Sequence, residues 1–294
     1  MQHKNGGGGQ QNKNDTKNIE KYREITYSDI VVIANRELKN KVKQINTNIE
    51  FINEDSLIEN LTYKHIESML IDSKPTGWFF QQFLKMAYCF ISYDDFYLSW
   101  DCDSLLIKKL HISNVFLNAL PIYIKPNHPY YTTINKLLDI KIDNNHQFMC
   151  EFMIFNKNIM RDLCSKLNPK NTKEFYKPII DLVNIDNKIY SFSEFETYAN
   201  YAINNYDIYK LSYYPVYRCG GRFYDKIPPL DEPLVKDFAK TYYVLQFNHW
   251  DKKVPFAKIL HNKTLRKIIG FKNLMRIYYY SGLYKKDFNL LALQ

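Results

Sequence analysis

No apolar run in this sequence approaches the roughly 18–20 residues that a bilayer-spanning helix needs. The opening residues, MQHKNGGGGQQNKND, lack the apolar stretch of a secretory signal. Cysteine is scarce. The five, Cys89, Cys102, Cys150, Cys164 and Cys219, are odd in number, and none stands at C-x-x-C spacing. That excludes a fully paired disulfide framework and argues against a zinc cluster; a reducing compartment is expected, hence the cytoplasm. RRM, KH, zinc-finger and P-loop patterns are also absent, so no nucleic-acid partner is expected. Neither an internal repeat nor a linker is evident.

What is present suits a folded chain. Apolar residues make up 46% of the 294, enough for a substantial core. Tyrosine is abundant at 25 residues, offering buried area with a polar tip. Forty basic residues against thirty-one acidic give a net charge of +9, which favours an anionic partner without choosing among a nucleotide diphosphate, a lipid-phosphate acceptor, a membrane surface and nucleic acid.

Along the chain, residues 1–18 are polar and Gly-rich and are expected to be disordered. DIVVIAN (29–35) reads as a buried strand, 36–43 as a helix and NIEFINED (48–55) as a second strand. Helices are expected over 56–70 and 77–91, then a strand, FYLSWDCDS (96–104), running into a polar turn. PIYIKP (121–126) reads as a strand, and 148–166 as a strand or turn followed by a helix. SEFETYANYAINNY (193–206) reads as a helix with Ser193 as N-cap and Glu196 completing a capping box. RCGGRF (218–223) is a turn, and 235–248 a helix followed by the apolar strand YYVLQF. This βαβ-like alternation predicts an α/β fold with a mostly parallel sheet, whose ligands gather at the carboxyl ends of strands.

Several groups of residues can carry chemistry. Asp101 and Asp103 form a D-x-D turn after FYLSW, two hard carboxylates suited to Mg²⁺ or Mn²⁺ bridging to phosphate; a solvated turn is the bland alternative. On the helix before that strand, Gly77, Trp78, Gln81, Gln82 and Lys85 fall within about two turns and can serve donor or acceptor hydroxyls and phosphates, or form the polar face of a core helix. Glu194 and Glu196 in SEFETY diverge by roughly 200° on a helix, so only one readily faces a site. That one, with a slight preference for Glu196, can act as general base or bind acceptor hydroxyls; both can instead favour the helix N-terminus. Arg218 and Arg222 flank Gly220 and Gly221 beside Tyr217, a turn able to clamp a diphosphate. From 252 onward, basic residues alternate with Phe, Ile, Leu and Tyr, as in a helix lying on an anionic membrane, or simply a packed helix with a basic face.

GWFFQQFLKM, followed about a dozen residues later by YLSWDCDSLL and later by SEFETY, resembles a bacterial family of GT-A-type glycosyltransferases known as a domain of unknown function, with G-W-x-x-Q-Q-x-x-K, D-x-D and S-E-x-E-x-Y motifs in that order. The matching positions are Gly77, Trp78, Gln81, Gln82 and Lys85; Asp101 and Asp103; and Ser193, Glu194, Glu196 and Tyr198. MCEFMIFNKNIM (149–160) is similar to an intervening block, with Phe152 where a polar His is expected. The resemblance covers 19–250. It implies a single GT-A-like three-layer α/β/α domain there; the residues beyond it, 251–294, read as a basic aromatic helical tail. It also implies a nucleotide-sugar donor, a glycan or lipid-linked glycan acceptor such as lipooligosaccharide or capsule, Mn²⁺ or Mg²⁺, and His249 as a further metal ligand. In that scheme DIVVIAN matches the second strand and IEKYREI (19–25) the end of the first helix, so the first strand is expected to be missing. Two other readings remain. One is a phosphohydrolase using D-x-D, against which stand Leu105 two residues on and the motif's distance from the N-terminus. The other is a non-catalytic binding protein, either a degenerate transferase or a nucleic-acid binder, the latter permitted by the charge but carried by no motif.

Overall fold

Val31, Val32 and Ile33 are β-branched, with Ile33 buried, and Val31–Ala34 forms the first strand, β1. A 3-10 turn and α1 (Lys39–Ile45) return the chain to β2 (Glu50–Asn53), which pairs with β1 in parallel from Val31 opposite Glu50 to Ala34 opposite Asn53. The computed structural model describes residues 29–46, 48–72, 74–112, 116–185, 190–207 and 209–282. The expected disordered segment 1–18, the helix end at 19–25 and the question of a missing first strand lie outside the described residues. The fold is mixed α/β, and it divides into two compact units. One is built from Asp29–Asp101 and Ile112–Tyr213, the other from Cys102–His111 and the chain from Tyr214 onward. The expected domain at 19–250 contributes to both.

In the first unit, α2 (Tyr63–Met69) begins where Thr62 accepts the His65 N–H. The expected helix over 56–70 is therefore shorter, because Asn60 takes a left-handed φ of 65° and breaks the run. Next comes α3 (Thr76–Ala87), whose Phe79, Phe80, Phe83, Leu84, Met86 and Ala87 are all buried, so this helix is central rather than peripheral. β3 (Phe96–Trp100) pairs antiparallel with β6 (Phe152–Asn156), and Trp100 stacks on Phe152 at 4.9 Å and 15°. The position where a polar His was expected thus holds an apolar cross-strand partner. β5 (Phe116–Asn118) pairs in parallel with β7 (Lys210–Ser212). Helices α4 (Pro129–Leu138), α5 (Lys157–Leu167), α6 (Tyr176–Ile185) and α7 (Glu194–Asn205) complete the unit, with α7 against α3, α4 and α5.

The expected strand at 121–126 does not form. Pro121 and Pro126 remove ladder donors at both ends, and the Ile122 N–H turns back to the Leu120 carbonyl; the Ile124 N–H reaches the Asn144 carbonyl at 2.8 Å, and a single bridge, Leu120 to Gln147, precedes the segment.

In the second unit β4 (Ser104–Leu106), supplied by the segment 102–111, pairs antiparallel with β9 (Val244–Gln246), which pairs in parallel with β8 (Val216–Tyr217). Leu105, Ile107, Tyr217, Phe223, Phe238, Tyr242 and Leu245 form its core with residues of four helices. These are α8 (Pro233–Ala239), α9 (Ala257–His261), α10 (Lys263–Ile269) and α11 (Phe271–Tyr280). Among the described residues no helix is long and apolar enough to cross a membrane. None of the five cysteines forms a disulfide.

Candidate functional site

Because α3 is buried nearly all round, its polar side chains need partners inside the protein. Lys85 finds two. Its Nζ lies 2.7 Å from Asp101 Oδ1 and 2.8 Å from Glu194 Oε1, with side-chain exposures of 6%, 18% and 4%. It also sits 4.5 Å over the Phe195 ring, and the Tyr97 hydroxyl donates to its backbone carbonyl at 2.9 Å. Burial opposes the charge on Lys85, but Asp101 and then Glu194 outweigh it and hold the ammonium above the usual lysine range. Three segments therefore meet at one cation: the end of α3, the end of β3 and, 109 residues beyond Lys85, the start of α7.

The neighbouring Gln82 joins the same helices. Its Oε1 accepts the Glu194 N–H at 3.0 Å and its Nε2 donates to the Trp78 carbonyl at 3.0 Å, so it caps α7 from α3. The Gln81 Oε1 is buried without a hydrogen-bond partner among the described residues. At the start of the helix, Trp78 packs edge-on against the exposed Tyr190 at 5.1 Å and parallel to Tyr130 at 6.5 Å. Gly77 lies in the same first turn.

Residues Glu194 to Ala202 are all buried, and the polar ones are tied down one by one. Ser193 accepts the Glu196 N–H, making the expected N-cap. The reciprocal half of the capping box is not made, because the Glu196 carboxyl faces another segment. Its Oε1 accepts the N–H groups of Phe148 at 2.9 Å and Met149 at 3.3 Å, and its Oε2 has no hydrogen-bond partner among the described residues. Burial raises the Glu196 pKa to about 8, against the lowering effect of those two N–H groups, with Asp143 adding a little to the rise. Tyr198 accepts the Asn156 N–H at 2.8 Å and so fixes the end of β6. The angular divergence of the two glutamates is thus realised: Glu194 meets Lys85, whereas Glu196 braces the 148–149 backbone.

Asp101 closes the first unit, and its N–H donates to the Glu151 carbonyl at 2.9 Å. Glu151 is itself buried, at the next register position after the Trp100–Phe152 pair. Sequence reasoning passed over Glu151, Phe195 and Tyr97. Only the antiparallel pairing of β3 with β6 and the crossing of α3 with α7 bring them near Asp101 and Lys85.

The other expected site residues belong to the second unit. Asp103 is buried; its carbonyl accepts the Phe247 N–H at 2.7 Å and its Oδ1 the Gln246 side-chain amide at 3.4 Å. His249 is exposed and edge-on to Trp250 at 4.6 Å. Arg218 offers its carbonyl to Asn248, and the Arg222 guanidinium reaches the Tyr278 hydroxyl at 3.4 Å. The glycines between them are needed for close approach. A Cβ at Gly221 would lie 2.7 Å from the Asp251 Cβ, and one at Gly220 2.9 Å from the Gln246 carbonyl oxygen.

Both carboxylates at Lys85 are already paired with its ammonium, Asp101 at 2.7 Å and Glu194 at 2.8 Å. Among the described residues no group of three or more His, Cys, Asp or Glu is placed to hold a metal ion.

The fold and this cluster define a mixed α/β protein with a buried site built on a lysine shared by two carboxylates. The chain belongs to a family of unknown function (DUF6492), whose model matches residues 16–260. No curated protein and no solved structure matches it.

Proposed function

We propose that this chain is a cytoplasmic, metal-dependent glycosyltransferase with a GT-A-type fold. It would move a sugar from a nucleotide-sugar donor to a glycan or lipid-linked glycan acceptor. The observation that carries this reading is the double ion pair of Lys85, at 2.7 Å to Asp101 and 2.8 Å to Glu194. It ties together one residue from each of the three sequence motifs, all of which fall inside the 16–260 span of the family. The parallel β1–α1–β2 unit supports the fold assignment.

In this reading Asp101 would be a protein ligand of the divalent ion. The ion's contribution is to neutralise charge on the departing nucleoside diphosphate. Lys85 fixes the position of both carboxylates, Asp101 on the donor side and Glu194 on the acceptor side. Glu194 takes the proton of the acceptor hydroxyl as its oxygen forms a bond to the anomeric carbon and the bond to the diphosphate breaks. Glu196 supports the site from behind, through the 148–149 backbone.

The test is thermal stability with Mn²⁺ and a panel of nucleotide sugars. A donor at a hundredfold excess over its Kd stabilises the protein by about 2.7 kcal/mol. Asp101→Ala should lose the metal-dependent part of that shift. The reading fails if no nucleotide sugar gives a metal-dependent shift, or if Asp101→Ala binds and turns over donor like the parent.

A further inference from the structure

Residues 252–282 contain eight lysines and arginines and no aspartate or glutamate. Seven of the eight are exposed; Arg266 is buried and paired with Asp237. Within this stretch a basic residue followed by isoleucine recurs every nine positions: Lys258–Ile259, Lys267–Ile268 and Arg276–Ile277. The three pairs fall on α9, α10 and α11 in turn, and all six residues are exposed. The isoleucines are 38%, 75% and 50% exposed, and Tyr280 on α11 is 79% exposed. On α11 the division is complete. Phe271, Leu274, Met275 and Tyr278 are buried, which leaves Lys272, Asn273, Arg276, Ile277 and Tyr280 on the outer face.

Isolated exposed apolar residues are ordinary on protein surfaces. Three isoleucines, each beside a cation and all in a segment without acids, are a different case. Lys and Arg stems can lie along an apolar surface while their charges meet anionic headgroups, and isoleucine can enter the acyl boundary. A nucleic acid would use the cations but gain little from the isoleucines, since its affinity rests on phosphate contacts. We propose that α9–α11 form a docking surface for an anionic phospholipid membrane. The cations would supply attraction and Ile268, Ile277 and Tyr280 shallow insertion. This is independent of the transferase reading and stands or falls on its own.

The full chain would be floated with vesicles of phosphatidylcholine alone and of phosphatidylcholine mixed with phosphatidylglycerol. Binding is expected only to the mixed vesicles, and it should weaken as salt is raised. Lys272→Ala and Arg276→Ala should each weaken partitioning about fivefold. Ile268→Asp combined with Ile277→Asp should abolish it at low salt, with folding checked by a circular-dichroism melt. Should that pair impair folding, Ile277→Ser serves instead and should still weaken binding. Ile71→Asp, an exposed isoleucine of the first unit, should change nothing. No flotation with the mixed vesicles would overturn the proposal. So would unchanged flotation of the isoleucine variants, or duplex DNA binding that exceeds vesicle binding and depends on the cations alone.

Discussion

A buried ammonium between two carboxylates is costly to disturb from any side. Removing one member of a buried ion pair leaves uncompensated charge and typically costs about 3–5 kcal/mol. Lys85→Met should therefore destabilise the first unit by that order, since both Asp101 and Glu194 lose their shared partner. Adding Glu194→Gln should recover part of the loss by removing one stranded charge, yet leave donor turnover abolished. Recovery of stability together with turnover would show that the cluster is purely structural. Glu196 makes a separate prediction. Its folded pKa of about 8 lies above its ordinary 4.5, so between these values the folded state keeps a proton that the unfolded chain has released. The stability that depends on this group is whole below the lower value and is lost as pH rises towards the upper one. Glu196→Gln keeps a carbonyl oxygen for the Phe148 and Met149 N–H groups and cannot ionise. Denaturant unfolding across this window should show a flatter pH dependence for the variant and a gain over the parent at the alkaline end. Parallel curves for the two proteins would mean that Glu196 does not titrate as its surroundings indicate. The sequence marked both glutamates and their divergence, because helical geometry alone separates them. It gave no means of telling that Glu194 meets Lys85, since that depends on how α3 crosses α7.

At the scale of the element, Gln82 decides how α3 and α7 are held. Its amide spans the Trp78 carbonyl and the Glu194 N–H, a donor at the first turn of α7 that has no partner within its own helix. Gln82→Ala would leave that buried N–H unsatisfied, at a cost of about 1–3 kcal/mol. Tm should fall measurably, with activity falling only as far as the fraction folded falls. A large loss of kcat/KM at full stability would instead give Gln82 direct contact with substrate. Much at this scale was legible in the sequence. The β-branched run at 31–34, the helices at 76–87 and 157–167, the capped helix at 194–205 and the strand at 244–246 each carry a local pattern strong enough to announce them. The failures have local causes as well: two prolines at 121 and 126, and a left-handed Asn60 before α2. The nine-residue recurrence of basic–isoleucine pairs was invisible because it matters only once those isoleucines are known to be exposed.

At the scale of the whole molecule, the chain passes between its two units three times among the described residues, at 101/102, 111/112 and 213/214. A sequence read for local period has no signal for such passages: residues 102–111 follow β3 without a linker, and their partner strand lies some 140 residues further on. The consequence is that the second unit is not a C-terminal domain in the ordinary sense. β4 occupies one edge of β9, and Leu105 and Ile107 contribute to the same core as Tyr217, Phe238 and Leu245. A fragment starting at Tyr214 would lack these side chains, each worth about 1.5–3 kcal/mol of burial, and would leave an apolar β9 edge unpaired. A small unit has little stability in reserve for such a loss. That fragment should therefore show no cooperative melt by circular dichroism and should aggregate on concentration. Residues 102–111 joined to its N-terminus by a flexible linker should restore a cooperative transition, and Leu105→Asp within the joined segment should remove it again. A fragment beginning at Tyr214 that melts cooperatively without the added strand would show that β4 is an accessory to this core rather than a part of it.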